Sequence, residues 1–445
     1  MERRPGLLHD RPGHARAGHR QPRHGRGRPG VPGEAPPAVP AAGRLSGRDD
    51  VRIVVVGASL AGVRTVQALR RRGSTDEVVL VGAEPGAEDG VATDRPPLSK
   101  KFLADPATPA PPLVSAADLA GLDVRLVTAR ATDLDLDARR VLLHGGDELP
   151  FDALVVATGS TPRSVPGLEP RPGVYQLRGA ADAAAIRAAG ADGARVVVVG
   201  GGFIGAEVAW TLHRLGREVA VVEPLPTLMV RGLGPEVGAA LTRRHAAAGV
   251  ALHLGAGVAG IEGAERVSAV RLTDGSALPA DVVVLGLGAA PETGWLTGSG
   301  LDLRDGVVCD EHLAARGAEG VYAVGDVARW YHPRYGEDVR VEHWTNAVET
   351  ATVAAANLTG SPTVHEAVPY VWTEQLDGRL QVFGRVRPQD ELRVVHGDLT
   401  GDFVALTGGD GLLQGVVGFG AVRPTIAFRK LLGAGVTWDE ALAAA

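Results

Sequence analysis

The sequence predicts an α/β protein built on two Rossmann-like units. Three observations predict it: an internal repeat, apolar runs of strand length, and 61 glycines in 445 residues, about twice average usage. The first unit opens with residues 51–56 (VRIVVV), an apolar run suited to a buried parallel strand. GASLAG follows at 57–62, then a helical stretch to Arg72, then EVVLVGAE ending at Glu84. The second unit repeats the order: ARVVVV from 194, GGGFIG at 200–205, a helix through Leu215, and EVAVVE ending at Glu223.

The repeat carries its own chemistry. The first glycine of each turn makes a tight bend, and the last lets helix pack closely on strand. The helix N-terminus then offers free N–H groups and a positive dipole end to a pyrophosphate. Gly200, Gly202 and Gly205 match the dinucleotide fingerprint fully, with Phe203 and Ile204 inside the turn. In the first copy Gly57 and Gly62 match, Ser59 takes the middle position, and Leu60 and Ala61 complete the turn. Ser is small enough for close approach, and its hydroxyl can add a phosphate contact. Two dinucleotides are expected. Glu84 and Glu223 end their second strands, where a carboxylate can accept both hydroxyls of an adenosine ribose and repel a 2′-phosphate. At the second site that favours NADH over NADPH. The alternative for either Glu is a solvated strand end.

Composition narrows the class. Hydrophobic residues make up 45% and charged residues 22%, ordinary values for a globular protein. No stretch of 18 apolar residues argues for a membrane span. A single Cys excludes an intrachain disulfide, a CxxC pair and an all-Cys metal site, and no His/Cys/Asp cluster has metal spacing. Residues 1–48 hold ten Arg, eight Pro and nine Gly. They lack the aromatics of a nucleic-acid arm and the apolar stretch of a secretory signal. The reading is a disordered extension outside the fold, and a cytoplasmic protein with no nucleic-acid or membrane partner.

Further motifs stand in a fixed order: DRPPLSK (94–100), FDALVVATGS (151–160), GVYAVGDVA (320–328), VEHWTNAVE (341–349) and PYVWTEQ (369–375). With GASLAG and GGGFIGAEVA, these resemble the ferredoxin reductases of bacterial monooxygenase and dioxygenase systems, flavoproteins of the pyridine-nucleotide oxidoreductase group. The resemblance covers about residues 49–445. It implies two dinucleotide-binding domains, for FAD and NAD, plus a smaller C-terminal α+β domain. The FAD domain would combine 49–163 with 288–365, the NAD domain would occupy 164–287, and the C-terminal domain would span 366–445.

The resemblance also implies residue roles. Ala157, Thr158 and Gly159 of the ATG turn would pack on FAD, and Asp326, after Gly325, would bond the ribityl chain. A buried Asp there would be costly without a partner; it also suits the cap of a following helix. Lys100 would sit beside the flavin ring, paired with Glu207, where a cation stabilises negative charge on reduced flavin. An ordinary surface Lys is the competing reading, since Lys101 is adjacent. Arg95, Pro97, Ala131, Arg163 and Gly288 join the cofactor contacts by the same resemblance. Trp344 would start a helix aimed at the flavin carbonyl edge, and Trp372 would lie near the ring; core packing is the alternative for both. The chain departs from the family at Thr93, where an aromatic is usual, in a longer stretch over 85–93, and at Thr373-Glu374 in place of Ser-Asp.

The disulfide reductases of the group need paired cysteines near the flavin, and this chain has only Cys309 in a late strand. The expected function is therefore an FAD-dependent NADH:ferredoxin reductase, with a ferredoxin-type iron–sulfur protein as partner. Arg379, Arg385 and Arg387 are the candidate docking residues for that acidic partner. A rubredoxin reductase or nitrite-reductase-type flavoprotein shares the motifs, and a non-catalytic NADH-sensing flavoprotein is the reading of another class.

Overall fold

Four branched apolar residues in succession need cover on both faces, which a central strand of a helix-flanked sheet provides. In the computed structural model Arg52–Val56 takes that position, with Ile53 to Val56 at most 3% exposed. The structure describes residues 51–445 apart from 85, 86, 88, 89, 164, 191 and 192. The expected extension over 1–48 lies outside the described residues.

The first sheet is parallel throughout, in the order Val321–Ala323, Ala153–Val156, Arg52–Val56, Glu77–Gly82, Arg125–Thr128. The second repeats the arrangement: Ala251–Leu254, Glu218–Glu223, Arg195–Val199, Val282–Leu285, Val174–Gln176. In both, the glycine turn leaves the carboxyl end of the central strand, and the next strand of the sheet pairs on one side of it while a later strand pairs on the other. Such a switch point opens a crevice above the strand ends. Each unit also carries a three-stranded antiparallel sheet, at residues 131–150 in the first and 258–279 in the second.

The turns match in detail. Gly57 and Gly200 have φ of +115° and +105°, and their amides donate to Val81 O and Val222 O at 2.8 Å. A Cβ on Gly57 would stand 2.3 Å from Ala157 O, and one on Gly200 would stand 2.2 Å from Gly286 O. Neither position tolerates a side chain.

The C-terminal sheet is antiparallel, ordered Tyr370–Gln375, Gly378–Gly384, Leu412–Phe419, Phe403–Gly409, Glu391–Gly397. Its alternation serves two covers. Val404 and Leu406 face the helices Val422–Ala434 and Trp438–Ala443. Phe403 and Ala405 join Leu233, Val237 and Leu241 of the second unit's long helix, Val230–Ala247. Two Rossmann-like parallel units and a smaller α+β unit therefore make up the α/β fold. Among the described residues no helix is long and apolar enough to cross a membrane.

Candidate functional site

The carboxyl ends of the two parallel sheets open onto one cavity of about 790 Å³. Ser59, Leu60 and Ala61 of the first turn line it, and so do Gly200, Gly202, Phe203, Ile204 and Gly205 of the second. Ala157, Thr158, Gly159, Gly288, Gly325 and Asp326 form further wall, with Arg95, Lys100, Glu207, Glu223, Trp344 and Trp372 around them. Segments far apart in sequence meet because both sheets present the same end to the same space.

Other predicted residues stand elsewhere. Gly57 and Gly62 lie beneath the first turn, where a Cβ on Gly62 would meet Gly57 O at 1.9 Å. Glu84 is set back from the cavity and holds the Arg95 guanidinium at 3.3 Å. Three of the expected cofactor contacts do not line this cavity. Pro97 lies in the 3-10 turn Pro96–Ser99, which brings Pro96 and Lys100 to the cavity instead. Ala131 heads the antiparallel sheet of the first unit. Arg163 is exposed; its amide donates to Gly288 O at 2.9 Å and its carbonyl accepts from Gln176 Nε2 at 3.0 Å.

Charge is arranged at both ends of the cavity. Beside the first turn, burial and then the neighbouring Arg95 push the Arg178 guanidinium down to about 10. Arg95 is itself lowered by burial, and its Nε has no partner among the described residues. Burial raises the Asp326 carboxyl, opposed by Arg178 and by Ser160, whose hydroxyl donates to it at 2.8 Å. Two crowded guanidiniums lining the same cavity as Ser59, Leu60 and Ala61, where a helix begins, fit a bound pyrophosphate. Motif reasoning missed Arg178, which belongs to no repeat; Ser160, directly after the ATG turn, was within its reach.

At the other end Lys100 Nζ lies 2.8 Å from Glu207 Oε2, with Lys100 17% and Glu207 2% exposed. Ser99 donates to the same oxygen at 2.6 Å, and Thr373 donates to Oε1. Trp344 begins the helix Trp344–Leu358, and its Nε1 donates to Asp94 at 2.9 Å. The Trp372 ring stands edge-on to it at 6.0 Å. Glu223 accepts from the amides of Gly201 at 2.6 Å and Leu225 at 3.0 Å. Cys309 is fully buried with its thiol pushed up by desolvation, far from thiolate chemistry.

Paired dinucleotide turns facing one cavity, with no sulfur pair in the chain, define a two-nucleotide redox protein of the flavoprotein type. The chain belongs to the pyridine nucleotide-disulphide oxidoreductase family, whose model matches residues 51–351, and a reductase C-terminal model matches 370–445. Members of that family bind FAD and NAD(H). It is 36% identical over 393 residues to the anthranilate 1,2-dioxygenase system ferredoxin–NAD(+) reductase component of Burkholderia cepacia, covering 87% of this chain and 95% of the relative. The ferredoxin reductase component of chlorobenzene dioxygenase from Cupriavidus sp. is 37% identical over 377 residues, 83% of this chain and 90% of its own. Among solved structures, the covalent putidaredoxin reductase–putidaredoxin complex superposes with a TM-score of 0.80 at 32% identity, covering 86% and 92% of the two chains.

Proposed function

We propose that the protein is an FAD-dependent NADH:ferredoxin oxidoreductase that passes electrons to an iron–sulfur protein feeding an oxygenase. One observation carries the reading: both glycine turns and the Lys100–Glu207 pair line a single cavity. FAD would be held by Ser59, Leu60 and Ala61, by Arg95, by the ATG turn and by Asp326. It supplies the hydride acceptor and the change from two-electron to one-electron transfer. NADH would enter across Gly200–Gly205, with Glu223 on the adenosine ribose and the nicotinamide near Glu207. Lys100 holds a positive charge beside the ring, and Glu207 keeps it there. The N-terminal amides of Trp344–Leu358 add a second positive field.

The domain division follows the same reading: FAD on 49–163 and 288–365, NAD on 164–287, and a C-terminal domain on 366–445. The cytoplasm, with its NADH supply, is the site of action we assign. Of the candidate docking residues, Arg385 pairs with Glu337, and Arg387 pairs with Asp390 and Asp410. Arg379 lies over the Trp372 ring at 5.6 Å, forms no such ion pair among the described residues, and takes precedence.

The test is NADH-dependent cytochrome c reduction through added ferredoxin. Ferredoxin should accelerate it strongly, and salt should slow that route more than NADH–ferricyanide turnover. No acceleration by several ferredoxins at low salt refutes the reading.

A further inference from the structure

Glu207 is the end of a buried chain of polar groups that leads away from the cavity. Thr373 Oγ1 donates to Glu207 Oε1, so its lone pairs are free to accept, and Gln375 Nε2 donates to it at 3.1 Å. The second amide hydrogen of Gln375 faces Met229 Sδ at 3.3 Å. Its carbonyl Oε1 stands 2.7 Å from His245 Nε2. Burial lowers the His245 imidazole, and because the Gln375 carbonyl oxygen it faces can only accept, Nε2 is the donor of that bond. Its Nδ1 has no partner among the described residues.

All three bonds run one way. His245 donates to Gln375, Gln375 to Thr373, and Thr373 to the Glu207 carboxylate. Each donor is polarised by the next, so the last bond is strengthened toward the anion. The four side chains are at most 2% exposed, and water does not compete for their partners. They belong to three parts of the fold: Glu207 to the helix Phe203–Arg214, His245 to Val230–Ala247, and Thr373 and Gln375 to the first strand of the C-terminal sheet. Thr373 and Gln375 share one face of that strand. The intervening Glu374 is exposed on the other.

We propose that Thr373 and Gln375 are positioning residues for the Lys100–Glu207 pair, supplied by the C-terminal sheet. Three donors converge on the Glu207 carboxylate: Lys100 and Ser99 on Oε2, Thr373 on Oε1. The first two draw it to one side, and the Thr373 bond, held by Gln375 and His245, opposes that rotation. Without it the carboxylate turns and Lys100 Nζ follows. The inference rests on the proposed reductase function, because it assigns the pair a place at the flavin and nicotinamide.

The experiment uses the FAD-loaded full chain with Thr373→Val, Thr373→Ser and Gln375→Leu. Rapid mixing with NADH under anaerobic conditions reads flavin reduction, and spectroelectrochemistry reads the flavin midpoint potential. Thr373→Val should slow flavin reduction at saturating NADH about 10-fold, the value of one bond to a charged group, and Gln375→Leu, which removes a bond between neutral groups, about 5-fold. Both should also shift the midpoint potential, while Thr373→Ser, which keeps the hydroxyl, stays within about 2-fold of the wild type. A merely structural role would lower thermal stability and leave potential and saturated rate alone; that outcome overturns the proposal, as does failure of Ser to substitute for Thr. A wild-type flavin that NADH does not reduce overturns the reductase function itself, whereas variants indistinguishable from an active wild type overturn only the chain.

Discussion

Lys100→Met tests the electrostatic centre of the cavity most directly. The pair is asymmetric: Glu207 is 2% exposed and Lys100 17%. Removing the cation therefore strands a carboxylate that cannot reach water. Losing one partner of a buried pair costs about 3–5 kcal/mol. Ser99 and Thr373 still donate to the carboxylate, which places the expected cost near the lower end, about 3 kcal/mol. Glu207→Gln removes the charge at its buried end. Lys100 keeps its bond to Pro96 O at 3.0 Å and its partial exposure, so the cost should be about 1–2 kcal/mol. The double variant should then be more stable than Lys100→Met alone, which is the signature of coupling. Urea unfolding of the four proteins gives the cycle, and spectroelectrochemistry gives the flavin potential, which should fall in Lys100→Met and recover partly in the double variant. A cost below about 1 kcal/mol for Lys100→Met, the range of a solvent-exposed pair, refutes the buried-pair argument. An unchanged potential removes Lys100 from the redox site.

Glu223→Gln should raise the NADH dissociation constant about 10- to 150-fold, the loss of bonds to a charged group worth about 1.5–3 kcal/mol. Glu223→Arg should improve NADPH use, and equal wild-type rates with both nucleotides at low concentration would contradict the assignment. Burial pushes the His365 imidazole down to about 4 from an ordinary 6.5. Its stabilising contribution is complete above pH 6.5 and is lost as pH falls toward 4, because the unfolded chain takes the proton first; about 3 kcal/mol is at stake. Melting temperatures across that window should fall less steeply in His365→Gln than in wild type; parallel profiles would show that other groups control acid unfolding.

How far this protein can be read without its structure depends on the range of the interactions. The two glycine turns are largely local: the φ near +110° at Gly57 and Gly200, and the close approach of Gly62 and Gly205 to the carbonyls of those two glycines, are demands on residues a few positions apart. Both turns, their strands and the terminal Glu223 were therefore legible from spacing alone. Lys100 and Glu207 lie 107 positions apart, and only resemblance to a family suggested pairing them. The tertiary structure alone decided the rest. Arg178 beside Asp326, and Thr373, Gln375 and His245 behind Glu207, lie in segments with no repeat or glycine signal. They meet because three sheets pack against one another. It likewise put Ala131 and Arg163 outside the cavity and set Arg385 and Arg387 in ion pairs. A local pattern specifies the backbone that forms it, whereas a buried polar partner is specified only when packing removes water and leaves each donor one acceptor.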